Sequence, residues 1–263
     1  MNIIFYIIIF AMGITFGSFL TLSSYRIPLN QDITHTRSYC PNCNHKLSFI
    51  DLIPVFSYLF LGEKCRYCHK KISPRYITIE VLTGLSFLIL AYVLGLNIYT
   101  LTISSLIEFS IGVLYIVFLF LIASINKEHK YIDKRVLIYG IIISFINVIY
   151  QYFTVDNFNT NRIIIYYIFI LILTIISIKM LKSNEKGNDI TNLLILVIIM
   201  NLFTSEITMI LTIIFTLLII SIGLLMNKIL KKHKNSKMPV AYYMVIANVV
   251  VLLIAFAEFI FKG

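Results

Sequence analysis

The chain has 263 residues, of which 59% are hydrophobic and 13% charged, with a formal net charge of +10 and a mean hydropathy of +0.92. That balance excludes an ordinary soluble globular domain and points to a membrane protein. The positive charge does not argue for nucleic acid, because the basic residues are spread over four short segments beside apolar runs; anionic lipid headgroups are the expected electrostatic partner.

Residues 2–23 form the first apolar run. They lack the basic start and small-residue cleavage site of a secretory signal, so they are read as a retained helix. The one sizeable polar segment, 24–76, follows. Further apolar stretches run at 77–97, 104–125, 136–153, 163–181, 190–203, 207–227 and 239–261. The expected fold is an all-α polytopic membrane protein with about eight transmembrane helices, each near the ~20 residues a bilayer requires. The run 190–203 is short, since about 14 residues of helix rise about 21 Å against a hydrocarbon core of about 30 Å. The expected organisation is a first transmembrane helix at 1–23, a loop domain at 24–76 and a membrane domain at 77–263.

Threading the chain through these runs puts 24–76, 126–135, 182–189 and 228–238 on one side. With residues near the helix ends included, 20 of the 22 Lys and Arg fall there, leaving Arg162 and Lys262 on the other. The positive-inside rule makes the basic side cytoplasmic and both chain ends external.

The polar segment holds all four cysteines. Cys40, Cys43, Cys65 and Cys68 read C-x2-C, a 21-residue spacer, and C-x2-C. Two such knuckles present four sulfurs to one tetrahedral ion, and a reducing compartment keeps the thiols available. Zn2+ is the expected metal, in a structural role, because a four-sulfur site leaves no open position. Lys46, Lys64, Arg66, Lys70 and Lys71 lie close in sequence and offset the thiolate charge. His45 and His69 are read as exposed knuckle residues, and as alternative ligands if a sulfur is not used. The segment is too small and polar for an ordinary core, and a metal substitutes for one.

Polar residues meet helix ends twice more, at "LIASINKEHKYIDKRV", 121–136, and "KSNEKGNDITNLL", 182–194. Asn126 is expected to close one helix and Asp189 to open another, with two spans between them. Each has a structural reading: Asp189 as an N-cap, Asn126 as a helix terminator, Asp133 as part of a solvated loop. In the functional reading, carboxylates at a membrane face share a proton and activate water against a peptide bond.

These stretches resemble the type IV prepilin leader peptidases, polytopic aspartic proteases that in many members also methylate the new N-terminus. The resemblance lies in "GSFLTLSSYRIP", Gly17 to Pro28, in the cysteine island with "SFIDLIPVFSYLFLGEKC" in its spacer, and in "SPRYITIEVLTG", Ser73 to Gly84. It covers most of residues 13–84 and is weaker beyond. It implies a hydrolase of the cell membrane that removes a short basic leader from type IV prepilin or pseudopilin precursors, after a Gly and before a Phe-like residue. The family's second catalytic aspartate, which ends a GxGD motif, maps onto Asp189 in "KGND", where both glycines are replaced. The first, which begins a DLKHHIIPDRL-like segment, maps onto Asn126.

An Asn amide donates a hydrogen bond but cannot exchange a proton, so this chain is expected to cleave poorly or not at all, and Asn126→Asp to restore cleavage. Asn126 is then a deliberate substitution, a natural loss, or a position replaced in function by Asp133. The resemblance further implies methyl transfer from S-adenosylmethionine, with Gly17, Ser18, Arg26 and Glu80 as positions to test. Helix packing, an interfacial anchor and a helix-entry charge are their structural alternatives. Pro239 falls where the family has a PFGP-like turn. A proteolytically silent precursor binder, a methyltransferase-only homologue and a transporter are the competing readings; Glu108 and Glu258, near the outer ends of their spans, are the ionisable residues a transporter would need explained.

Overall fold

The structure is a computed structural model; it describes residues 2–154, 160–180, 185–229 and 238–262, with side chains at 2–154, 160–176, 190–225 and 238–254. Among these residues the chain is helical without strands, in the order α1 (Asn2–Arg26), α2 (Phe56–Phe60), α3 (Arg75–Val93), α4 (Ile103–His129), α5 (Lys134–Thr154), α6 (Thr160–Met180), α7 (Glu185–Phe203), α8 (Glu206–Ile229) and α9 (Val240–Lys262). Helices α1, α3, α4 and α5, and Glu206–Leu225 of α8, are long and apolar enough to cross a bilayer. Over the residues described with their side chains, the apolar stretches of α6, α7 and α9 cover Thr160–Ile176, Ile190–Phe203 and Val240–Ile254. This is an all-α polytopic membrane protein, and its long helices follow the apolar runs of the sequence.

Two helix ends differ from expectation. Helix α4 runs on to His129, so Asn126 lies within its last turn instead of closing it. The helix stops where Lys130 takes a left-handed φ of 61°, and the Lys130 N–H donates to the Asn126 carbonyl at 3.0 Å, a terminating turn of the usual C-terminal type. Helix α7 begins at Glu185, ahead of the apolar run. Its 19 residues rise about 28 Å, so a polar first turn extends the short apolar run at 190–203 to nearly the bilayer thickness.

The chain divides into two compact units, residues 1–121 and 122–263. In the first, α1 lies along α3. The contact is set by glycine. A Cβ on Gly13 would stand 2.7 Å from the Gly84 Cα, one on Gly17 2.6 Å from the Glu80 Cα, and one on Gly84 2.7 Å from Ile14 and Phe10. Gly13 and Gly17, four apart, form the small-xxx-small face by which membrane helices bring their backbones together. Phe87, fully buried on α3, packs between Phe16 of α1 and Phe109 of α4. The outer face of α1, with Ile3, Ile4, Ile7 and Ile8, is exposed for lipid.

In the second unit α7 packs on α5 and α6, and α8 on α9. Val148, Ile170 and Leu202 form a buried cluster flanked by Ile141, Ile163 and Ile198. Several polar side chains at this level donate across helices, as a water-free environment favours. Asn147 donates to the Leu202 carbonyl at 3.0 Å, Asn201 to the Tyr166 hydroxyl at 2.9 Å, and Asn248 of α9 to the Thr212 hydroxyl of α8 at 3.3 Å. Arg162 and Glu206 form an ion pair at 3.2 Å.

The glycine contact yields a prediction. Gly13→Leu overpacks α1 against α3 and is expected to cost about 1–3 kcal/mol, read as a lower thermal midpoint of the detergent-solubilised protein. Gly223→Leu on α8, where an added Cβ meets nothing within 4 Å, is expected to leave the midpoint unchanged.

Candidate functional site

The cysteines are free, with no disulfide. Each knuckle is built alike. Asn44 donates its N–H to the Cys40 carbonyl and the Cys40 N–H donates to His45; His69 donates to Cys65 and Cys65 to Lys70. Both turns close through a left-handed residue, Asn44 at φ 57° and His69 at φ 56°. The isolated bridges Tyr39–Lys46 and Lys64–Lys71 lock their bases. The four sulfurs lie within 4.8 Å of one another, and Cys40 and Cys68 are 3.9 Å apart. Metal–sulfur bonds of about 2.3 Å in a tetrahedron place sulfurs about 3.8 Å apart, so the cluster has the dimensions of a thiophilic metal site.

Its electrostatics agree. Burial would raise the Cys40 thiol, but the backbone N–H groups of Asn42 and Cys43 and the neighbouring sulfurs bring it down to about 7. At Cys43 the His45 N–H lowers the thiol, but burial and the Cys40 and Cys68 sulfurs outweigh it and push it up to about 11. Successive thiolates therefore oppose one another until a cation neutralises them. Neither histidine joins the sulfurs: His45 lies against the Tyr67 ring of the other knuckle at 3.6 Å, and His69 occupies the turn.

The knuckles are also tied through Asp51 in the spacer. Its buried carboxylate pairs with Arg66 at 2.7 Å and accepts from the Ser48 hydroxyl at 2.7 Å and Tyr67 at 3.2 Å. Burial alone would raise this carboxyl, but Ser48 and Arg66 outweigh it and hold it at about 2.

Between the knuckles and the polar ends of α1 and α3 is a cavity of about 350 Å3. Ser18, Arg26 and Glu80 line it, with Tyr39, Tyr58 and Tyr76. Arg26 is buried, and its guanidinium donates to the carbonyls of Asp32, Thr36 and Arg37 at 2.8, 3.0 and 3.1 Å, ordering the bent approach to the first knuckle. Glu80 accepts the Val55 N–H at 2.7 Å, and Ser18 lines the cavity beside it. Gly17 supports the cavity from behind, since its lack of a side chain lets the Glu80 backbone approach.

In the second unit Asn126 is buried. Its amide donates to the Tyr131 carbonyl at 3.2 Å and its oxygen accepts the Tyr242 N–H at 3.1 Å, at the start of α9. These partners fix which atom is nitrogen and which oxygen. Asn192 of α7 donates to the Ile132 carbonyl at 3.4 Å, so the start of α7 lies beside the same turn. Asp189 stands one turn earlier on α7, and its side chain lies outside the described residues. Asp133 is committed elsewhere: it caps α5 through the Arg135 N–H at 2.9 Å and pairs with the Arg135 guanidinium at 2.8 Å.

Sequence reasoning missed three of these residues. Tyr242 could have been reached through Pro239, a proline just ahead of a helix start. Asp51 was legible as the lone charge in an apolar spacer. Nothing in the sequence marked Val55.

Residues 11–94 match the model of the bacterial peptidase A24 N-terminal domain. The prepilin leader peptidase/N-methyltransferase of Myxococcus xanthus is 44% identical over 84 residues, 32% of this chain and 25% of that protein. The one from Vibrio cholerae is 40% identical over 96 residues, 33% of this chain and 36% of that protein. The one from Bacillus subtilis is 32% identical over 132 residues, half of each chain. This chain thus spans between a quarter and half the length of these relatives. No solved structure matches it.

The sulfur cluster predicts that the purified chain carries zinc at near stoichiometric level by atomic emission. Cys65→Ser is expected to lose most of that metal and to lower the thermal midpoint, while His69→Gln retains both.

Proposed function

We propose that this chain, whose first third is that of the prepilin leader peptidase/N-methyltransferases, is an enzyme of that type. It acts on type IV prepilin-like precursors at the cytoplasmic membrane face, and it is silenced in proteolysis by Asn126. The observation that carries the reading is the match of residues 11–94 to the bacterial peptidase A24 N-terminal domain. The orientation follows from the basic side of the chain.

Proteolysis needs one carboxylate to take a proton from water and a protonated partner to polarise the scissile carbonyl. The hydrogen bonds of Asn126 support assigning the second role to this position. An amide that donates on one edge and accepts on the other is isosteric with a neutral carboxylic acid, whose O–H would rest on the Tyr131 carbonyl until a substrate carbonyl takes it over and whose carbonyl would accept from Tyr242. An ionised carboxylate would instead set an unprotonated oxygen against the Tyr131 carbonyl, so the pocket favours the protonated form. Asp189 is then the base toward water. Asn192, hydrogen-bonded to the turn at Ile132, supports this by tying α7 beside position 126. The commitment of Asp133 to Arg135 argues against its serving instead.

The cavity supports the methyl-transfer half. Its volume is in the range of small-ligand pockets, and its lining mixes tyrosines and aliphatic side chains with polar and charged ones. A buried carboxylate at Glu80 suits a cationic ligand, and Glu80, Ser18 and the tyrosines at 58 and 76 would hold S-adenosylmethionine. That cofactor supplies an electrophilic methyl group when bound. Glu80 would offset its positive charge, Arg26 would keep the cavity wall in place, and the zinc knuckles would form the roof without touching the reaction.

The test is a paired assay of this chain and its Asn126→Asp form on a pilin precursor in proteoliposomes, reading leader loss and N-terminal mass together. Asn126→Asp is expected to raise cleavage at least about 10²-fold, and Asp189→Asn in that background to remove the gain. Equal cleavage with Asn and Asp at 126 would overturn the site. Tight precursor binding without cleavage in either form would support a silent binder. Glu80→Gln is expected to spare leader loss and abolish the methylated product.

A further inference from the structure

The spacer between the knuckles, Phe49 to Phe60, has an unexpected surface. Phe49, Ile50, Ile53, Phe56, Leu59 and Phe60 all point outward, Phe49 at 82% and Phe60 at 85% exposure. The stretch has one charge, Asp51, which is turned inward onto Arg66. Soluble surfaces rarely keep so continuous an apolar patch uncovered.

We propose that this spacer is a monotopic membrane anchor, with its apolar face inserted among the lipids beside α1 and α3. Depth argues for it. The Val55 N–H is bonded to Glu80, five residues into α3, and the Glu80 backbone packs on Gly17, next to Ser18, eight residues before the end of α1. At about 1.5 Å per residue, the tip of the spacer lies about 8–12 Å inside the polar ends of two membrane-spanning helices. Interfacial segments bury their apolar face about 5–10 Å into the headgroup and acyl boundary. The tip is also held there against backbone preference. Val55, a β-branched residue, takes a left-handed φ of 64°, a conformation that persists only when its surroundings fix it, here through Pro54 and the Glu80 carboxylate.

Charge agrees as well. Residues 24–76 carry eight basic and three acidic residues, and Lys46, Lys64 and Lys71 flank the apolar spacer on the knuckles, where anionic headgroups would meet them. The apolar surface is continuous with that of α1, whose Phe19 and Tyr25 are exposed at the same end. This inference concerns neither cleavage nor methyl transfer, and it stands whether or not those activities do.

The chain contains no tryptophan, so an introduced indole is a sole reporter. The full chain is reconstituted in phosphatidylcholine/phosphatidylglycerol vesicles whose acyl chains are brominated at defined depths. Phe60→Trp is expected to emit at blue-shifted wavelength, to lose most of its intensity to bromines near the top of the chains, and to resist aqueous acrylamide. His35→Trp, in the exposed polar loop that follows α1, is expected to behave oppositely. Phe49→Trp gives the same reading as Phe60→Trp should that variant lose its metal. An indole at position 60 open to acrylamide and untouched by bromolipid would overturn the proposal. So would one shielded from both, which would place another protein surface there.

Discussion

The close approach of α1 and α3 through Gly13, Gly17 and Gly84 is the contact on which the first unit depends. It brings together the two ends of a polar loop that would otherwise be a long and entropically costly closure. Once the end of α1 meets the start of α3, with Arg75 donating to the Ser24 hydroxyl at 2.7 Å, each knuckle starts close to its partner. The same approach sets the Glu80 backbone on Gly17, next to Ser18, so that its carboxylate reaches the tip of the spacer. A side chain at position 17 would disturb the cavity as well as the helix pair.

In the second unit the governing constraint is the need to satisfy polar groups where no water is at hand. Asn126, Asn147, Asn192 and Asn248 each reach another helix or a turn, and each acts as both donor and specifier of register. Asn126 differs in that its two partners are backbone groups of opposite character. A position that offers an acceptor on one side and a donor on the other selects a neutral group able to do both, and Asn and a protonated Asp are the two of nearly equal shape. An Asn at this point therefore conserves the local fold while removing the exchangeable proton.

The membrane spans, the four-sulfur cluster and the cavity-lining residues Ser18, Arg26 and Glu80 were legible because each is carried by local sequence: apolar run length, C-x2-C spacing, and motif resemblance. What was not legible depended on long-range or backbone geometry. The extension of α4 past Asn126 required the left-handed Lys130, which no residue type announces. The bond from Tyr242 to Asn126 joins residues far apart in the chain. The glycine face of α1 is a four-residue spacing visible in the sequence, but its partner Gly84 became apparent only with the helix pair assembled.

The reason for a metal in this loop also changes with the structure. Polarity of the segment is one reason, since a polar loop cannot build a core. Yet residues 49–60 supply ample apolar surface, and it faces away from the sulfurs: the buried hydrophobic side chains of the loop reduce to Cys40, Tyr58 and Cys65. Apolar groups turned outward cannot also close a core, whatever their number. Four sulfurs close enough to share one ion, with Asp51 and Arg66 across the knuckles, can perform that closure from a handful of residues. A metal held there would free the apolar side chains of the loop to face outward.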